Sequence, residues 1–214
     1  MRIGILGSGV VGRTLGSGLV KLGHEVKIGT RDVHKPDVAE WLKSNGAKAS
    51  AGSFADAARF GEILFLCTFW AGTDNAIGQA GPDNFKGKVV VDVTNPLDFS
   101  GGVPPKMAVG HTTSGGEIVQ KLLPGAKVVK AFNIITASRM IDGSYGTEKL
   151  DMFIAGNDAG AKKTVTDILN AFKWNTFDLG GIEESRILEY YAMLWITVGF
   201  KTNSWNHVFK MVKM

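Results

Sequence analysis

The stretch "GSGVVG" (Gly7, Ser8, Gly9, Val10, Val11 and Gly12) follows the apolar run "RIGIL" and opens a segment with Val11, Leu15 and Leu19 at helical spacing. The three glycines in this pattern do different physical work. Gly7 makes a tight turn, Gly9 lets the backbone approach a pyrophosphate closely, and Gly12 lets helix pack on strand. The first turn of a helix carries free N–H groups and a partial positive charge, which suits phosphate. About 20 residues beyond such a loop an Asp or Glu ordinarily accepts hydrogen bonds from the adenosine ribose hydroxyls. Here Thr30 and Arg31 stand at that place, with Lys35 four residues on. A guanidinium gives two parallel charge-assisted bonds to a phosphate, and a lysine adds a second charge. These residues therefore read as a pocket for a 2′-phosphorylated dinucleotide, NADP rather than NAD. Asp32 opposes that preference if its carboxylate faces inward.

Ligands of open α/β sheets bind outside the carboxyl ends of the strands. The candidate ends are "CTFW", "DVTNPL" and "KAFNII". They offer Thr68, Phe69 and Trp70, then Asn95, Pro96 and Leu97, then Ala131, Phe132 and Asn133. Phe69, Trp70, Leu97 and Phe132 give surface for a flat ring, while Thr68, Asn95 and Asn133 give hydrogen bonds. A dehydrogenase of alcohols needs a proton donor beside the reacting carbon, and these loops hold no Tyr-x-x-x-Lys pair. His111 in "GHTTSGG" comes closest, and no residue is assigned a catalytic role. No spacing suggests a catalytic metal cluster. Cys67, the only cysteine, sits in "ILFLCTF" and reads as an inert buried thiol.

These loops need elements to hold them. Strand, glycine turn, helix and strand within about 30 residues make a βαβ unit, and the alternation continues. Helices are expected at "PDVAEWLKSNG", "FADAARFG", "TDNAIGQA", "GGEIVQKLL" and "AGAKKTVTDILNAF". Strands are expected near residues 47–50 and at "EILFLCT", "KVVVDVT", "AKVVKAF", "KLDMFIAG" and "NTFDLG". Ser114 and Glu117 have capping-box spacing. The apolar strands imply a sheet covered on both faces. The fold class is α/β, a doubly wound, mostly parallel sheet of Rossmann type with a short helical C-terminal extension. Its expected division is a nucleotide-binding domain at residues 1–180 and an extension at 181–214.

With 214 residues there is little chain left for a separate substrate domain, so the second reactant is expected to be a flat molecule resting on the crevice. Catalysis would then be by orientation, with reacting atoms about 3–3.5 Å apart in a site that excludes water. A composition 44% hydrophobic and 21% charged excludes a disordered chain. The net charge of +4, without a long basic run, fits small anionic ligands better than nucleic acid. Residues 187–200, "ILEYYAMLWITVGF", are too few for a spanning helix, which needs about 20. They read as a core or subunit-interface helix, giving a homo-oligomer and no membrane partner. No cleavable leader is visible, and a cytoplasmic location is the default expectation.

The combination "MRIGILGSGVVG", "LGHEVKIGTRD", "VDVTNPL", "LPGAKVVKAFN" and "GGIEESRILEYYAMLWI" resembles the NADP reductases that depend on the deazaflavin coenzyme F420. More loosely, it resembles the reductase domain of six-transmembrane ferric reductases. The first resemblance implies direct hydride transfer between nicotinamide and deazaflavin, with no essential protein acid or base. It places Ser8, Gly9, Val10 and Val11 at the pyrophosphate and Thr30, Arg31 and Lys35 at the 2′-phosphate, with Trp70 matching the tryptophan after the fourth strand. The second implies flavin, such as FMN, as an alternative acceptor. Reduction of a small carbonyl or imine compound, and a non-enzymatic NADP sensor, are the other readings the residues leave open.

Overall fold

The apolar runs become strands because their alternate side chains face two different layers of helix. The computed structural model describes residues 1–212. Its sheet strands are β1 (Arg2–Leu6), β2 (Glu25–Gly29), β3 (Ala49–Gly52), β4 (Ile63–Leu66), β5 (Val89–Asp92), β6 (Lys127–Lys130), β7 (Asp151–Gly156) and β8 (Asn175–Asp178). They lie in the order β8-β7-β6-β5-β4-β1-β2-β3. The six strands from β6 to β3 are parallel and follow the order of dinucleotide-binding sheets, with the reversal between β1 and β4. The helices are α1 (Val10–Lys21), α2 (Pro36–Asn45), α3 (Phe54–Phe60), α4 (Thr73–Ala80), α5 (Gly115–Leu122), α6 (Ala159–Ala171) and α7 (Ser185–Thr202).

Two apolar cores follow from the alternation. Ile3, Ile5, Val26, Ile28, Phe65, Val91 and Val129 pack with Leu15 and Leu19 of α1 and with Val165 and Leu169 of α6. Leu6, Leu64, Leu66, Val90 and Val128 pack on the opposite face with α3, α4 and α5. Each face thus removes a full layer of branched side chains from water, at roughly 1.5–3 kcal/mol for each fully buried residue. The sheet is doubly wound and mostly parallel, as the sequence implies.

Two strands depart from the parallel set, β7 and β8, which run parallel to each other. β7 runs antiparallel to β6, with Ala155 opposite Lys130 and Gly156 opposite Val129. A parallel crossover usually needs a covering helix. The link from β6 to β7 instead holds a single 3₁₀ turn, Ala137–Arg139, and a small ribbon pairing Ser144–Tyr145 with Glu148–Lys149. A second ribbon, Leu97–Asp98 with Lys106–Met107, follows β5.

The C-terminal part begins with a 3₁₀ turn, Ile182–Glu184, and continues as α7. This helix buries Leu188, Glu189, Ala192, Trp195 and Ile196, and Asn203 in the left-handed region ends it. The segment after it folds back along the helix. Trp195 Nε1 donates to His207 O at 2.8 Å, and Met211 N–H donates to Asp151 Oδ2 at 2.7 Å. Residues 213–214, the end of the expected extension, lie outside the described residues. Among the described residues no helix is long and apolar enough to cross a membrane.

Candidate functional site

A cavity of about 510 Å³ opens where the strand order reverses. Its lining comes from the ends of three strands: Gly7, Ser8 and Gly9 after β1, Thr30 and Arg31 after β2, and Cys67, Thr68 and Phe69 after β4. Lys35, Phe54 and residues at the start of α4 complete it.

The three glycines answer to distinct constraints. Gly7 has φ +122°, and a Cβ there would stand 2.4 Å from Cys67 O. A Cβ on Gly12 would stand 2.0 Å from Gly7 O, so strand and helix could not approach as they do. Around Gly9 nothing lies within 4 Å of where a Cβ would be, which leaves the backbone open to a ligand. Arg13 Nη1 donates to Ser8 O at 2.6 Å and pairs with Asp37 at 2.9 Å, pinning the loop onto α1. Ser8 Oγ donates to Thr30 Oγ1 at 3.0 Å, joining the ends of β1 and β2.

The first turn of α1 is open, whereas α2 and α4, also without a side-chain cap, carry Asp37 and Asp74 in theirs. α3 is closed by the Ser53–Asp56 capping box, α5 by Ser114 and α6 by Asp158. α1 has no side-chain cap and no acidic residue in its first turn. Its N–H groups and dipole are therefore available to an anion. Arg31 and Lys35 line the same cavity, and among the described residues neither forms an ion pair. Asp32 is exposed, and its Oδ1 accepts from His34 N–H at 2.8 Å in a local turn.

The ends of β5 and β6 lie beyond the lining of this cavity. Phe69 is 61% exposed and its ring centroid lies 5.5 Å from that of Phe99. Asn95 Nδ2 donates to Asn133 O at 2.7 Å, and Asn133 Nδ2 donates to Asn95 Oδ1 and to Leu188 O, each at 3.0 Å. These bonds use both N–H groups of Asn133 and leave its buried Oδ1 without a donor among the described residues. An open helix terminus and unpaired cations fit a phosphorylated dinucleotide.

The family model described as NADP oxidoreductase, coenzyme F420-dependent, matches residues 2–96. The F420-dependent NADP reductase of Methanocaldococcus jannaschii is 32% identical over 214 residues, covering 95% of each chain. The chain belongs to the F420-dependent NADP oxidoreductase family. A solved structure from Arthrobacter sp. FB24, provisionally described as an F420-dependent NADP reductase, superposes on this reductase with a TM-score of 0.93. It is 38% identical and covers 99% of both chains. The metalloreductase STEAP3 of Rattus norvegicus is 29% identical over 193 residues. That alignment takes in 88% of this chain and only 36% of the longer relative. The reductase is thus an NADP-dependent oxidoreductase.

Several residues proposed from the sequence of the reductase do not face the crevice. Ala131 and Phe132 are fully buried. Phe132 has φ +64°, which turns its ring inward between Phe65 and Phe172, with centroids 6.2 and 6.4 Å away. It therefore offers no surface to a flat ring. Trp70 packs beside Gly115 at the start of α5, and a Cβ there would lie 3.1 Å from the indole. Pro96 is buried, and Val11 packs against the core. Val10 is 63% exposed at the head of α1. Burial, reinforced by Asp92, pushes the Cys67 thiol far above its ordinary value, so the thiol stays protonated. His111 is exposed, its ring 6.1 Å from Tyr190, and it lines neither this cavity nor the second one.

Two groups escape a reading of the sequence. A second cavity, of about 370 Å³, lies between residues 135–150 and the C-terminal segment, with Arg139, His207 and Lys210 on an apolar floor of Ile135, Leu150 and Val208. The other is a buried cluster of Asp92, Lys130 and Glu189. Its signal in the sequence is a charge interrupting each of three apolar runs, "VVVDVT", "KVVKAF" and "LEYYAML".

Proposed function

We propose that this oxidoreductase carries hydride directly between NADP(H) and a flat acceptor, with coenzyme F420 as that acceptor. The observation that carries the NADP half is the cavity itself. It combines an uncapped helix terminus, a glycine loop open at Gly9, and the unpaired cations Arg31 and Lys35. In this reading Gly7, Ser8, Gly9, Val10, Val11 and Gly12 hold the pyrophosphate through backbone N–H groups. Arg31 and Lys35 hold the 2′-phosphate, with Thr30 bracing Ser8 beneath it. Asp32, turned into its own local bond, leaves the preference intact.

The acceptor half rests on family membership and on the crevice beyond Thr68. Phe69 with Phe99 supplies an exposed aromatic wall and Leu97 a half-buried apolar one. When bound, the nicotinamide supplies or takes the hydride, and the work of these side chains is to orient the two rings and exclude water. In this reading the transfer asks no side chain to move a proton. The apolar residues Ile187, Tyr190 and Leu194, at helical spacing and 60%, 40% and 52% exposed on α7, support a homo-oligomer through that helix.

The test is stopped-flow absorbance of NADPH oxidation with oxidised coenzyme F420, with FMN, and with no acceptor. Rapid turnover with F420 alone is expected. Turnover with FMN alone, or NADPH binding without turnover of either, refutes the acceptor assignment and points to flavin or to a small carbonyl or imine compound.

A further inference from the structure

Three charges are fully buried beneath the crevice, where neutral packing would serve a nucleotide fold at lower cost. Asp92 ends β5, Lys130 ends β6, and Glu189 comes from α7. Lys130 Nζ lies 2.7 Å from Asp92 Oδ2 and 3.0 Å from Glu189 Oε1, and donates to Thr94 O at 2.8 Å. Asp92 Oδ1 accepts from Thr94 N–H at 2.9 Å and from its hydroxyl at 2.7 Å. All three polar groups of Thr94 are thereby held by the cluster. Glu189 also accepts from Gly115 N–H at 2.9 Å and Gly116 N–H at 3.0 Å, closing the N-terminus of α5. Burial opposes the charge on Lys130, yet Asp92 and Glu189 together hold its ammonium above the ordinary value, so it stays charged.

Beyond Thr94 the chain runs directly into Asn95, Pro96 and Leu97, and Asn95 is tied to Asn133 in the loop after β6. The turn at residues 94–97 is thus fixed at its base by ions and at its tip by asparagines. We infer that Lys130 is a positioning residue for hydride transfer: with Asp92 and Glu189 it fixes the turn at residues 94–97, against which the nicotinamide end of the cofactor lies. The inference rests on the NADP reading above. The cluster touches none of the phosphate-binding residues, so its effect is on the ring and not on affinity.

The experiment compares the full chain with Lys130→Arg, which keeps the charge but moves the donors, and Glu189→Gln, which keeps the side-chain size. The first readout needs no acceptor. NADPH titration gives the Kd, and the emission lifetime of the bound nicotinamide reports how firmly it is held. The expected result is an unchanged Kd with a lifetime shortened toward that of free NADPH. The second readout is single-turnover oxidation of bound NADPH by F420, expected to slow roughly 10- to 100-fold. An unchanged lifetime in both variants overturns the inference whichever acceptor turns over. So does a Kd that rises in step with lost folding stability, or failure of both variants to fold, because the cluster would then serve the fold alone. Failure of the unsubstituted protein to reduce F420 counts against the acceptor assignment instead, and the lifetime still decides the positioning.

Discussion

Replacing Arg31 with alanine should separate the two nicotinamide dinucleotides. Arg31 is exposed, lines the cavity and has no ion-pair partner among the described residues, so the free protein loses almost nothing on its removal. Surface substitutions of this kind stay within about 0.5 kcal/mol of neutral. In the complex the loss is one charge-assisted pair to the 2′-phosphate, about 1.5–3 kcal/mol. With about 1.4 kcal/mol for each factor of ten, the NADPH Kd should rise about 10- to 100-fold, Lys35 retaining part of the attraction. NADH has no phosphate at that place, and its Kd should change little. The assay is a fluorescence titration with both dinucleotides at low and high salt. The gap should narrow with salt, since the Debye length falls from about 10 Å at 0.1 M to about 3 Å at 1 M. Equal weakening of NADH and NADPH, or a fall in Tm comparable to the loss in affinity, refutes the reasoning.

Other substitutions bear on the same architecture. Gly9→Ala should melt like the unsubstituted protein, because its Cβ meets nothing within 4 Å, but bind NADPH weakly. Gly7→Ala, at φ +122° and 2.4 Å from Cys67 O, should instead lose about 1–3 kcal/mol of stability in urea titration. Lys130→Met leaves two buried carboxylates facing each other and should cost about 3–5 kcal/mol by the same measurement. Tyr191 is pushed up to about 12 by burial and by Asp151. The folded state therefore keeps its proton after the unfolded state has lost it, and stability should fall as pH rises from about 10 to about 12. Tyr191→Phe should lack that component in denaturation curves taken across this range, and parallel curves would contradict it.

The features legible in the chain alone are local ones. The glycine loop is legible because a positive φ at Gly7 and the close approach at Gly12 admit no other residue, whatever lies elsewhere in the chain. The inner strands β4 and β5 are legible because two-sided burial makes them apolar runs, and Arg31 because its place in the βαβ unit is set by counting. Which residues meet depends on the folded molecule. Phe132 looks like a crevice aromatic from its neighbours in sequence, but a left-handed backbone turns it into the core. Trp70 is claimed by a glycine of α5, and β7 reverses because no helix covers its approach. Asp92, Lys130 and Glu189 each look like an anomaly in an apolar run and become intelligible only together. A buried charge is tolerated where its counter-charges arrive, and those come from three elements far apart in sequence, brought together by the winding of the sheet and the return of the last helix.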